Sequence, residues 1–269
     1  MGTSASSNGP GFGVSLDPEW LDDIDVPNSH SDNTIPTTSD IENSLLIAPK
    51  ARFSNARRRL NDYARTGNTD SLRKALGHYS KTGMGGSRNL SNRMRTSAKV
   101  AASFVSTLRS IRDDANFALS KTLSDLKSKG ANASEVINAI IDSVCPNGGS
   151  LDESSTRDSG TVALSEFMDK NPEADISKLT DDQIWSLAST FLGNEAFSRI
   201  QLDIGQSFEK QDISIGDRIT RINEMREYLQ AEISTQLNKI RESATQTFDL
   251  EVLFKETIKS TFEVYEVEV

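Results

Sequence analysis

The residue with the most selective chemistry in this sequence is its second. Met1 precedes Gly2, and a small second residue favours removal of the initiator methionine, which would expose Gly2-Thr3-Ser4-Ala5-Ser6-Ser7. A glycine α-amine is unhindered, and its pKa of about 7.7–8 leaves a usable neutral fraction at neutral pH, whereas a lysine amine near about 10.4 is almost wholly protonated. Such an amine is a nucleophile that an acyl-transfer enzyme can select. Met1-Gly2-x-x-x-Ser6 also fits the pattern for N-myristoylation. A single acyl chain binds membranes marginally and needs a basic patch beside it, and the residues that follow here are acidic, which argues against a lipid anchor.

Elsewhere, catalytic constellations fail on order or context. Ser124-x-x-Lys127, Ser31-Asp32-Asn33 and Lys81-Thr82-Gly83 each match a fragment of serine β-lactamase chemistry. They occur in reverse order, on a helix, in the tail and at a helix end, whereas that chemistry needs its Lys-Thr-Gly on a strand. His30 and His78 are the only histidines, and neither stands at metal-ligand spacing from other ligating residues. Cys145 is the single cysteine, so no internal disulfide or cysteine zinc cluster can form. Just before Pro146, it reads as a small apolar residue at a helix end. The expectation is a protein that is not an enzyme and needs neither cofactor nor metal.

Charge supplies a second kind of chemistry. Net charge is −9 but uneven: residues 1–49 hold eight acids and no Lys or Arg, residues 50–99 are net +11, and residues 100–269 are net −12. Within the basic part, Arg57, Arg58, Arg59, Arg88, Arg93 and Arg95 are the candidates for contact with an anion or nucleic acid. The same residues also suit a solvated helix face, or a dock for an acidic surface such as the chain's own tail. Phe53, Tyr63 and Tyr79 are too few for a base-stacking platform. Gly83-Met84-Gly85-Gly86-Ser87 ahead of Arg88 could present amides to an anion at a helix start, or serve only as a flexible turn.

The elements that must position these groups are helical. Phe53, Ala56, Leu60 and Tyr63 recur at helical spacing until Gly67, and a second helix from Asp70 runs through Leu72, Leu76 and Tyr79 to Thr82-Gly83. A longer helix begins near Ser87, another covers 113–128, and Asn132 with Glu135 resembles a capping box ahead of Val136 to Val144. Thr180-Asp181-Asp182-Gln183 is a further capping box, and Ile215 to Ile240 mark a long amphipathic helix whose drift from a 3.5-residue repeat favours packing in a bundle. A last helix covers 250–263, and the closing FEVYEVEV alternates as a short strand would. The predicted fold is an all-α multi-helix bundle body with a long disordered N-terminal tail. The predicted organisation is a Gly/Ser- then acid-rich tail (1–48), a basic helical module (50–145), a linker (146–160) and an acidic helical module (161–269). Four prolines and sparse apolar residues underlie the tail prediction. Its one apolar cluster, Trp20, Leu21 and Ile24, suits either a linear docking motif or loose packing on the body. No run approaches the roughly 18 apolar residues of a membrane span, and no signal peptide precedes the body, so a cytoplasmic, membrane-free protein is expected.

The opening MGTSASSNGPGFGVSLDPEW, the acidic Pro-containing spacer, and then RFSNARRRLNDYARTG and LRKALGHYSKTGMGGS together resemble the QatB family, the associated proteins of bacterial Qat anti-phage defence systems. The similarity is clearest over 1–20 and 50–95. It implies partners encoded together: a QueC-like (QatC-type) enzyme, an ATPase and a TatD-like nuclease. It further implies that Gly2 is the acceptor of N-terminal modification, a deazaguanine joined through an amide, with Thr3, Ser4, Ala5 and Ser6 threading into the enzyme's pocket. The alternative function is a nucleic-acid-binding adaptor that uses the 50–99 helices to place the nuclease.

Overall fold

A computed structural model describes residues 51–145, 149–209, 213–243 and 249–269. The tail, with Gly2 to Ser6, Trp20 and His30, therefore lies outside the described residues. Ten α-helices occur among the described residues: α1 (Ser54–Thr66), α2 (Thr69–His78), α3 (Ser87–Arg93), α4 (Arg95–Arg112), α5 (Phe117–Ser128), α6 (Ala133–Val144), α7 (Leu151–Lys170), α8 (Asp181–Ile204), α9 (Ile215–Ser243) and α10 (Leu250–Glu266). No strand occurs among them. The fold is all-α, as its apolar spacing predicts.

Local sequence sets the starts and stops. Asn132 and Thr180 accept from the amides of Glu135 and Gln183, whose side chains bond back to the cap amides, so both predicted capping boxes form. Gly67 ends α1 in the left-handed region at φ 70°, where glycine pays no Cβ penalty, and Asn68 then caps α2. The resulting α1–α2 hairpin continues into a π-helical turn, Tyr79–Gly83.

Helix α8 is the centre of the bundle. Its buried residues run around the helix, from Ile184, Trp185 and Leu187 to Phe197 and Ile200, which is the pattern of a helix enclosed by others. Helices α4, α7 and α9 pack on it, and α10 packs on α2, α3, α4 and α9. Phe104 of α4 stacks on Phe191 of α8, with ring centroids 6.0 Å apart. Cys145 is buried at the end of α6, as expected of a small apolar residue there, and burial pushes its thiol up to about 11.

Three expectations are corrected. First, the part of the expected linker (146–160) that is described is mostly helix: Ser150 and Glu153 form a third capping box, and α7 starts at Leu151. Its small residues Thr156, Ser159 and Gly160 are buried, with Gly160 set against the Ile141 side chain. Serine-rich composition here reflects close helix packing, so the two predicted helical modules join in one compact unit covering 52–269. Second, FEVYEVEV forms no strand. Helix α10 continues to Glu266, because Phe262 and Tyr265, three residues apart, share its buried face. Third, the long helix expected from Ser87 breaks at Met94, whose ψ of 21° leaves the helical range while its side chain is buried. The apolar stripe of α9 holds from Met225 to Leu237, but Ile215 and Ile219 in its first turns are 73% and 55% exposed.

Candidate functional site

The described candidates are the six arginines, and the fold divides them. Successive residues of a helix point about 100° apart, so Arg57, Arg58 and Arg59 spread around α1. Arg57 turns toward the end of α8, where its guanidinium donates to the Asp203 carbonyl at 2.9 Å. Arg93 acts in the same region: with Arg199 it opposes the upward shift of the Tyr79 phenol, which burial and Asp203 together drive. The Tyr79 hydroxyl donates to Asp203 Oδ2 at 2.7 Å. Arg57 and Arg93 thus belong to a paired polar network, not to an open basic face.

Arg58 and Arg59 lie near enough to His78, at the end of α2, for their charges to act on it. Burial, then the charges of Arg59, Arg58 and Lys81, hold the His78 imidazole below its ordinary value of 6.5. Arg59 meets Asp62 loosely, at 4.0 Å. Arg88 is exposed in the first turn of α3, after Gly85 and Gly86, both at positive φ. Arg95 is exposed at the start of α4. The six residues thus come from three helices, α1, α3 and α4.

A buried carboxylate stands where sequence reasoning named no site. Glu195, in the middle of α8, is only 5% exposed. It accepts from the Ser97 hydroxyl of α4 at 2.7 Å and from the Ser155 hydroxyl of α7 at 2.9 Å, and Ser159 hydrogen-bonds to it as well. An ion pair between Arg199 and Asp152, at 3.0 Å, lies at the mouth of the same cleft. The available signal was a lone acid within the apolar run FLGNEAF, but two of its three partners, Ser155 and Ser159, come from the segment read as a linker.

Burial raises the Glu195 carboxyl above its ordinary 4.5, although the serines act to lower it. The folded chain then keeps this proton to higher pH than the unfolded chain. Stability from this group is complete below the unfolded value and is lost as pH rises through the folded one. Glu195→Gln removes the ionisation while keeping the shape. Its melting temperature is expected to match the parent's in acid and to exceed it progressively toward neutral pH. Calorimetry between about pH 4 and 8 checks this, and a difference independent of pH would refute it.

An open groove of about 490 Å³ lies between α4, α6 and the start of α10, lined by Lys99, Ser103, Ser106, Ser143 and Asp249 among others. No group of three His, Cys, Asp or Glu side chains among the described residues is placed to hold a metal ion. Nor is any helix there long and apolar enough to cross a membrane. Ser124 and Lys127 lie on α5, where Lys127 pairs with Asp175 at 3.1 Å, while Lys81, Thr82 and Gly83 lie in the π-helical turn.

Among known proteins, the family model described as Qat anti-phage system associated protein QatB matches residues 85–265. The match covers α3 to α9 and all but the last residue of α10, and lies mostly beyond the N-terminal stretches that carried the resemblance in the sequence. Comparison with curated proteins and with solved structures finds no match.

Proposed function

Given that the chain belongs to the QatB family of Qat anti-phage system associated proteins, we propose that it is the protein acceptor of that system, modified at the α-amine of Gly2. Family membership carries this reading, and the sequence supplies a chemically suitable arm. A QueC-like partner would activate a deazaguanine carboxylate with ATP, releasing pyrophosphate and leaving an acyl adenylate. The neutral Gly2 amine attacks the acyl carbon, AMP leaves, the amine gives up a proton and an amide remains. Selectivity for Gly2 over the lysines follows from its lower basicity and from its lack of a side chain. Thr3, Ser4, Ala5 and Ser6 are small enough to follow it into a narrow pocket. The helical body is the part that binds the enzyme, and the ATPase and TatD-like nuclease are its further partners.

Co-expression with the QueC-like enzyme, read by intact mass, tests the proposal. One deazaguanine increment is expected on the parent chain and none on Gly2→Pro, whose secondary ring amine is hindered. An unmodified parent, or a variant modified to the same extent, would contradict it.

A further inference from the structure

We propose that the α1–α2 hairpin carries a phosphate-binding site formed by Arg58, Arg59 and His78, with Lys81 at its edge. This site is independent of the N-terminal modification. The Gly67 turn folds α2 back along α1, so that Tyr79, just after His78 at the end of α2, reaches Phe53 at the start of α1. The far end of the hairpin is pinned. Phe53 stacks on Tyr79 at 5.5 Å, and Gly83 is packed so closely on the Phe53 ring that an added Cβ would lie 2.5 Å from it. This packing brings Lys81, in the π-helical turn, to the same corner.

Among the described residues, the corner gathers more cations than carboxylate side chains paired with them. Among the described residues, Arg59 makes a loose contact with Asp62. Lys81 is tethered by the backbone carbonyls of Glu266 and Val269. Arg59 Nε and His78 Nδ1 are buried with no hydrogen-bond partner among the described residues. Buried polar atoms left in that condition are uncommon and call for an explanation. The depressed basicity of His78 agrees with its burial and with the cationic neighbours Arg59, Arg58 and Lys81.

Phosphate fits the corner best. Guanidinium groups present paired N–H donors that match its oxygens, and an arriving anion would let His78 take up a proton and become a donor too. Phe53, Tyr63 and Tyr79 are all buried, so no ring is available for a base to stack on. The ligand is therefore recognised through its phosphate, whether free or in a nucleic-acid backbone.

The test uses the full chain, labelled at histidine, in a low-salt buffer free of phosphate. Inorganic phosphate and a short single-stranded DNA are titrated in separately while the ring signals of the two histidines are followed by NMR. The His78 signals are expected to move saturably, with its titration midpoint raised, while those of His30 stay in place. Arg58→Gln with Arg59→Gln should weaken binding by about tenfold for each arginine removed, and Lys99→Gln should leave it unchanged. If the double variant does not fold, Arg58→Gln alone, at an exposed position, gives the same comparison. A response to DNA alone, falling steeply with salt, assigns the phosphate to a nucleic-acid backbone. A response to inorganic phosphate assigns a free phosphate. His78 signals that neither probe moves, or binding unchanged in the arginine variants, would overturn the proposal.

Discussion

Gly77→Ala is expected to destabilise the protein by about 2 kcal/mol, even though it places a better helix former inside a helix. Alanine in place of glycine within a helix gains about 1 kcal/mol. At Gly77 the added Cβ would lie 2.4 Å from the Tyr265 carbonyl oxygen and 3.1 Å from its carbon. Those are backbone atoms of α10 and no side-chain rotation clears them, so α2 and α10 must separate. Overpacking of this kind costs about 1–3 kcal/mol, and an obstacle made of backbone sits at the upper end. Gly160→Ala is the matched control. There the added Cβ meets the Ile141 Cδ1 at 2.6 Å, the mobile end of a side chain, so the clash can relax and the net change should stay within about 1 kcal/mol. Chemical denaturation of the two variants checks the pair. Equal effects would show that α2 and α10 do not touch at Gly77.

Phe104→Ala should cost more, about 3–5 kcal/mol. Phe104 is fully buried and stacks on Phe191, joining α4 to the central helix. Neighbouring helices are fixed by many other contacts, so the space it leaves cannot collapse. Against a typical total of about 5–15 kcal/mol, that loss brings the body near unfolding at physiological temperature. A denaturant midpoint barely changed from the parent's would mean that α4 and α8 do not pack as described.

Elements governed by neighbouring residues were legible in the sequence. Asn132 and Thr180 announce helix starts because the capping box lies within four residues. The Met225 to Leu237 stripe announces α9 because one buried face repeats with the helix period. Tertiary contacts were not legible. Residues 151–160 looked like a linker because serine favours turns on its own, whereas here Ser155 and Ser159 hydrogen-bond to Glu195 across a helix interface. FEVYEVEV looked like a strand because Tyr265, Val267 and Val269 alternate with acids, whereas Phe262 and Tyr265, three residues apart, share a buried helix face.

The basic module shows the same division. Composition identified its charge, but α1 geometry decides that Arg57 joins Asp203 while the charges of Arg58 and Arg59 act on His78. The setting of His78 was not legible because Arg58 and Arg59 lie some twenty positions away in the chain. Family membership, matched over 85–265, rests on the helical body. The reactive group assigned to the protein rests on the arm.

Tandem mass spectrometry of the N-terminal peptide tests that assignment most directly. The purified chain, lacking Met1, is incubated with the QueC-like enzyme, ATP and the deazaguanine carboxylate. One adduct is expected, on the α-amine of Gly2, with every lysine unmodified and AMP released in equal amount. An adduct on a lysine, or an unmodified Gly2 in the presence of active enzyme, would contradict the reading of this chain as an N-terminal acceptor.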